Sequence, residues 1–213
     1  MKCLEQPVDV AAFEPSGSGL MYRLLAGLGI EACAVEDLAR RAPDERVIVC
    51  LDNPLVTARS RAADAGMSVG DAFAEWGSHH RELRAHTPRH RRLVVHYDAL
   101  RHDAPAEVGR LASWLGVWVS REQLAATAAE VMGRLRTQCA TAEELIASGP
   151  SESLIGLYLD LCAEAGPVYH RALVAEVGHE PVEVLGPTQR DGHRSELGVA
   201  ELMARLQEEL KER

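Results

Sequence analysis

Short apolar runs alternate with amphipathic stretches through the first half of the chain. Residues 8–13, VDVAAF, read as a strand, and 19–28 as a helix with Leu20, Leu24, Leu25 and Leu28 on one side. EACAV at 31–35 predicts a short strand, followed by a helical turn before Pro43. RVIVCL at 46–51 is the clearest strand: it is apolar at nearly every position, as a strand buried on both faces of a parallel sheet must be. Asp52-Asn53-Pro54 predicts a turn into a helix that reaches Ala65. Ser68, with Asp71 three residues on, predicts a capped helix start, and that helix ends before Pro88. RLVVHY at 92–97 is a fourth strand. A loop leads from it to a helix at 105–115 with Val108, Leu111, Ala112 and Leu115 inward, and Ser120 with Gln123 opens another at 121–137.

The second half reads as mostly helical. Thr141 with Glu144 caps one helix, and 151–165 forms another that Gly166-Pro167 ends. PVEVL at 181–185 suits an edge strand or a linker, 186–198 a polar loop, and 199–212 a charged helix with Val199, Leu202, Met203, Leu206 and Leu210 on one side. Strand–helix alternation followed by helices predicts an α/β fold, a parallel sheet flanked by helices, with a mostly helical C-terminal extension. The expected division is an α/β domain over 1–170 and a linker and helix over 171–213, packed on the same domain.

Composition narrows the function classes. At 213 residues and 46% apolar, one domain with a sizeable core is expected. No apolar run approaches the length of about 18 residues that spans a bilayer. The opening MKCLEQPVDV holds no apolar signal segment, so the expected address is cytoplasmic, without a membrane partner. The five cysteines are scattered and form no Cys-x-x-Cys pair, which suits reduced thiols better than a disulfide framework or a zinc ribbon. A net charge of −9 argues against broad nucleic-acid binding, which needs a basic surface. Arginine supplies 21 of the 23 basic side chains, and the only lysines are Lys2 and Lys211. No loop in the body of the chain can therefore supply a phosphate-binding lysine.

Three stretches carry candidate chemistry. Ser16-Gly17-Ser18-Gly19 lies between a strand and a helix, where small residues bare the backbone N–H groups that bind anions. The same residues also suit an ordinary strand-to-helix turn, and the Walker pattern is absent, which disfavours a standard ATPase or GTPase. Beyond the 46–51 strand, Thr57, Arg59, Ser60 and Arg61 stand on the first turns of a helix, placed either to meet a phosphate or to stay solvated. Ligands of doubly wound sheets sit at this end of the strands. Tyr97, closing the fourth strand, offers a ring on which a base can stack. Residues 79–92, HHRELRAHTPRHRR, hold five Arg, four His and one Glu. They read as a solvated basic face or as an anion-binding surface whose histidines serve as general base. No metal site is expected, because these histidines lack carboxylate or cysteine partners at ligand spacing. Trp76, Trp114 and Trp118 are expected in the core or at its rim.

In this order and spacing the stretches resemble the sulfotransferase family. The family's opening loop, Y-P-[KR]-S-G-[ST]-T before a leucine-rich helix, is similar to Phe13-Glu14-Pro15-Ser16-Gly17-Ser18-Gly19-Leu20. Its middle motif, a strand and Arg-Asn-Pro with a serine eight residues after the arginine, is similar to Asp52-Asn53-Pro54 and Ser60. Its third, Tyr-Glu-Asp-Leu before a helix ending in Leu-Gly, is similar to Tyr97-Asp98-Ala99-Leu100 and Leu115-Gly116. The resemblance covers 8–117 well and 120–170 loosely, where LYLDLCAEAG at 157–166 is similar to the closing helix of bacterial members.

The resemblance implies a P-loop-like parallel sheet that holds 3′-phosphoadenosine 5′-phosphosulfate and passes its sulfuryl group to a hydroxyl or amine of a small metabolite or sugar. It implies Ser16, Gly17, Ser18 and Gly19 at the 5′ phosphosulfate, Ser60 at the 3′-phosphate and Tyr97 at the adenine. Pro15 stands where the family has a loop lysine or arginine, and Asp52 where it has the 3′-phosphate arginine. A charge-assisted hydrogen bond contributes about 1.5–3 kcal/mol, so donor binding needs other cations, of which Arg23, Arg59 and Arg61 are nearest. The family motifs assign no catalytic base here. Two further expectations stand beside the enzyme: a sulfotransferase-fold protein that has lost the donor and binds a protein partner or a second copy of itself, and a kinase-like enzyme with an arginine-based phosphate site.

Overall fold

The computed structural model describes residues 8–13, 15–34, 45–135 and 139–177, and the structural statements below concern these. Four strands, β1 (Val8–Ala12), β2 (Ala32–Ala34), β3 (Val47–Leu51) and β4 (Arg92–His96), form one sheet in the order β2–β1–β3–β4. All pairings are parallel, with Val10 opposite Ile48 and Cys50 opposite Val95. The chain steps outward from β1 to β2, then returns past β1 to β3 and β4. That reversal creates a topological switch between β1 and β3.

Eight helices cover the sheet: α1 (Pro15–Gly27), α2 (Pro54–Ala65), α3 (Val69–His86), α4 (Tyr97–Leu115), α5 (Arg121–Met132), α6 (Ala142–Ala147), α7 (Glu152–Glu164) and α8 (Pro167–Val177). All five residues of β3 are buried, which explains its unbroken apolar run. Val47, Val49 and Leu51 pack into one core with side chains of α2, α3, α6, α7 and α8. Ile48 and Cys50 point the other way, into a second core built with α1, α4 and α5. The protein is thus of the α/β class that the alternation predicts, a parallel sheet between helical layers, with further helices after the last strand.

Local chemistry places most helix ends. Asn53 caps α2 by accepting the Leu55 N–H at 2.9 Å, with Pro54 at the first helical position. Ser68, Ser120 and Ser151 cap α3, α5 and α7, and Thr141 with Glu144 forms a complete capping box on α6.

Several elements depart from the sequence reading. α1 begins at Pro15, so Ser16–Gly19 form its first turns instead of a separate loop. Proline suits that position because the missing N–H would have no helical partner. Tyr97 starts α4 instead of ending β4, since His96 accepts the Asp98 N–H and caps a helix where a loop was expected. That first segment breaks at Asp103 (φ −151°, ψ 76°), whose carboxylate accepts the Ala106 N–H at 3.1 Å and restarts the helix expected from 105. α5 ends at Met132, before Gly133, and α8, which starts on Pro167, was not expected as a helix. Trp76 is buried, whereas Trp118 is 81% exposed and belongs neither to the core nor to its rim. The turn before Pro43 and the assignments at 181–185, 186–198 and 199–212 lie outside the described residues.

Two arginines, buried Arg92 and half-buried Arg110, tie the helices to β4. Arg92 makes two 2.6 Å bonds to the Glu164 carboxylate and a third to the Thr87 carbonyl. Arg110, paired with buried Glu107, donates to the Val94 carbonyl at 2.7 Å and so occupies part of the edge of β4. On the other layer, a Cβ at Gly27 would lie 2.9 Å from the Thr127 hydroxyl, so α1 and α5 approach closely there. Gly27→Ala is expected to cost about 1–3 kcal/mol by overpacking. Gly156→Ala, on α7 with open space around it, is expected to gain about 0.5–1 kcal/mol. Urea unfolding midpoints of the two variants check both signs.

Candidate functional site

At the C-terminal edge of the sheet, β1 ends at Ala12 and α1 starts at Pro15, while neighbouring β3 ends at Leu51 and α2 starts at Pro54. Two helix N-termini therefore open beside each other at the switch between β1 and β3. Asn53 holds this edge together: its side chain caps α2 and its Nδ2 donates to the Ala140 carbonyl at 2.9 Å, anchoring the segment before α6. Half-buried Asp52 accepts the Asn53 N–H at 2.9 Å, so a carboxylate stands in the second turn.

Phe13, between β1 and α1, gathers side chains from two helices. The Arg61 guanidinium lies 5.5 Å from its ring centroid, and the His79 and His80 rings lie at 5.3 and 6.3 Å. Arg61 also pairs with Glu75 at 2.6 Å. His80 stacks on Trp76 at 3.9 Å and donates its Nδ1–H to the Trp76 carbonyl. Burial holds its pKa down at about 3, and burial also lowers that of His79, so both rings are neutral near pH 7. The Nε of Arg61 and Nε2 of His79 are both buried without a hydrogen-bond partner.

The expected site residues do not all meet there. Ser16 and Gly17 are in the first turn of α1, and Ser18 and Gly19 follow, half-buried. Arg59 is exposed and lies 3.9 Å from Glu144, while the Ser60 hydroxyl donates to Asp64 at 3.3 Å. Tyr97 is 7% exposed and packs in the core beside Cys50, whose thiol burial pushes up to about 12. The basic stretch 79–92 divides. His79 and His80 reach Phe13, Arg84 pairs with Asp160, Arg92 is buried, and Arg89–Arg91 form a 3-10 turn at the opposite, N-terminal end of β4.

A second polar cluster lies behind the end of β4, and the sequence reading missed it. His96 is wholly buried, stacked on Tyr169 at 4.0 Å, with its Nε2 3.1 Å from the Tyr158 hydroxyl. Tyr158 and Tyr169 are 3.4 Å apart through their hydroxyls, and Cys162 lies 3.3 Å from the Tyr169 hydroxyl. Burial raises the pKa of all three groups, the Cys162 thiol to about 12, and depresses that of His96 to about 4. Adjoining the cluster and sharing Tyr169 with it, a pocket of about 250 Å³ is lined by Asp98, Arg101, His102, Tyr169, Ala172 and Leu173. Its signal in the sequence was a histidine closing an apolar strand. Tyr158 lies in the 157–166 stretch singled out as a helix, without a role, and Tyr169, on α8, had no motif to mark it.

Among the described residues no three His, Cys, Asp or Glu are grouped to hold a metal ion, and no helix is long and apolar enough to cross a membrane. The two helix N-termini at the β1/β3 edge present the positive ends of their dipoles, which favour an anion, whereas burial makes the nearby imidazoles poor proton acceptors.

No family model matches the chain, and no curated protein matches it in sequence. Among solved structures it is similar to mouse sulfotransferase SULT7A1 complexed with PAP, at 12% identity over 84% of this chain and 86% of that one, with a TM-score of 0.49. The likeness concerns the course of the chain alone.

Two buried neutral histidines set a pH dependence. An unfolded histidine protonates near 6.5, whereas folded His96 and His80 resist protonation down to about 4 and about 3. Between these values the unfolded chain binds more protons. Stability is therefore full above pH 6.5 and falls as pH drops toward 4, by up to about 1.4 kcal/mol per pH unit for each ring. Urea midpoints at pH 7, 5.5 and 4.5 should fall in that order, and a flat profile would contradict the neutral assignment.

Proposed function

We propose that the chain is a sulfotransferase-like protein whose β1/β3 edge takes 3′-phosphoadenosine 5′-phosphosulfate and passes its sulfuryl group to a hydroxyl or amine of a small metabolite or sugar. The observation that carries this reading is the pair of adjacent helix N-termini. The Ser16–Gly19 turn and the Asn53-Pro54 turn, which resemble two motifs of one family, open side by side at the switch of a parallel sheet. In the reaction the acceptor oxygen or nitrogen bonds to sulfur as the bond from sulfur to the 5′-phosphate oxygen breaks. 3′-Phosphoadenosine 5′-phosphate leaves, and the acceptor proton passes to a base. Bared N–H groups at Ser16–Gly19 would hold the phosphosulfate. Arg61, over Phe13 beside that turn, is the cation that would take over the charge that Pro15 lacks.

A second reading has its own support. Asp52 puts a carboxylate where the family has a cation, and the Tyr97 ring is packed against the core instead of facing a base. In this reading the fold serves as a binding or scaffolding protein without the donor.

Calorimetric titration with 3′-phosphoadenosine 5′-phosphate separates the two. The enzyme reading expects micromolar binding, weakened about 10- to 100-fold in Arg61→Gln by loss of one charge-assisted hydrogen bond. No heat at millimolar ligand would select the scaffold.

A further inference from the structure

The start of α4 is capped by an imidazole, and that choice has a chemical consequence. The Asp98 N–H donates to Nδ1 of His96 at 3.1 Å, so Nδ1 carries a lone pair and the ring proton sits on Nε2, directed at the Tyr158 hydroxyl at 3.1 Å. An asparagine or serine cap accepts at any pH, whereas a histidine cap accepts only while its ring is neutral. The Asp98 carboxylate is placed between two claims. One oxygen binds Arg101, and the other lies 3.4 Å from Nδ1, where no proton now joins them.

We propose that His96 is an acid-operated latch on the first turn of α4: a proton on Nδ1 removes the acceptor of the Asp98 amide and draws the Asp98 carboxylate from Arg101 to the ring. Among the described residues, Asp98 is the counter-ion that faces the imidazolium. From α4 it faces Asp98 and Arg101, from α7 Tyr158 and Cys162, and from α8 Tyr169, while β3 sets Leu51 beside it. The tyrosines and the thiol stay neutral, since burial raises their pKa values. Asp98 thus carries the one negative charge among these groups. Because Asp98, Arg101 and Tyr169 also line the pocket of about 250 Å³, the exchange of partners takes place on the pocket's own wall. The latch is independent of the identity of any ligand and of the sulfuryl-transfer reading.

The test follows the His96 ring nitrogens and amide exchange by NMR on the full chain from pH 7 to 3.5. The expected result is that Nδ1 protonates well below the ordinary histidine value, with at least a tenfold fall in the protection factor of the Asp98 amide at the same midpoint. The amides of Ile48, Val49 and Cys50 in β3 follow only the gradual fall in global stability and show no step at that midpoint. His96→Asn should make Asp98 protection independent of pH. Asp98→Asn keeps the amide but removes the counter-ion, and should lower the His96 midpoint further. This variant changes a half-exposed position and keeps the test open if His96→Asn does not fold. Loss of Asp98 and β3 protection in one step would overturn the latch, because the ring would then charge only on unfolding. Protonation of His96 with Asp98 protection unchanged would overturn it equally.

Discussion

β3 has no side facing water, and much of the structure follows from covering it. Five consecutive side chains from Val47 to Leu51 lie alternately in two cores, so each face needs its own helical layer. A parallel arrangement meets this need, because every crossover between parallel strands returns across a face of the sheet and brings helix with it. The same crossovers start helices at the C-terminal strand ends. The edge that gathers candidate chemistry is thus a by-product of the way the core is covered.

That edge is built from economical local parts. Each of its two turns is two residues long and leads into a proline at the first helical position. Asn53 caps one helix and also reaches across to Ala140, so one amide side chain joins local and long-range order. The charge pattern around it is unusual for an anion site. Asp52 sits in one turn, and Arg61 spreads over Phe13 while bound to Glu75. An arriving polyanion would have to compete with Glu75 for that guanidinium. At the α2 end the first N–H groups are likewise engaged, that of Leu55 by the Asn53 side chain and that of Asn53 by Asp52.

Polar groups around β4 serve a different purpose. Arg92, Arg110 and His96 each satisfy a backbone group: the Thr87 carbonyl, the Val94 carbonyl and the Asp98 amide. Two have a buried or nearly buried carboxylate alongside, Glu164 and Glu107, and breaking such a pair is expected to cost about 3–5 kcal/mol. His96 has only half-exposed Asp98, shared with Arg101, and is the member of the three whose hydrogen bonding can change with pH.

The sequence by itself determined the strands, the burial of β3 on both faces and most helix starts, because these depend on neighbours within a few residues. RVIVCL, Asn53-Pro54, Ser68, Ser120 and Thr141 carry their structural instruction in the side chains themselves. It also placed the Ser16–Gly19 and Asn53 turns at strand ends, though it could not say that those strands are neighbours. Strand order is decided by packing between distant segments, and the switch between β1 and β3 exists only once the sheet is assembled. Side-chain company was likewise settled by the tertiary structure. Tyr97, readable as an exposed platform, turned inward because α4 starts one residue earlier than a strand-end reading allows. Histidines at 79 and 80, readable as part of a basic face, went to Phe13 because α3 buries that stripe beside Trp76. Tyr158 and Tyr169 met His96 only when α7 and α8 folded against β4. Local hydrogen bonds are written in adjacent letters, whereas burial and its effect on a proton depend on atoms that the chain brings together from 60 or more residues away.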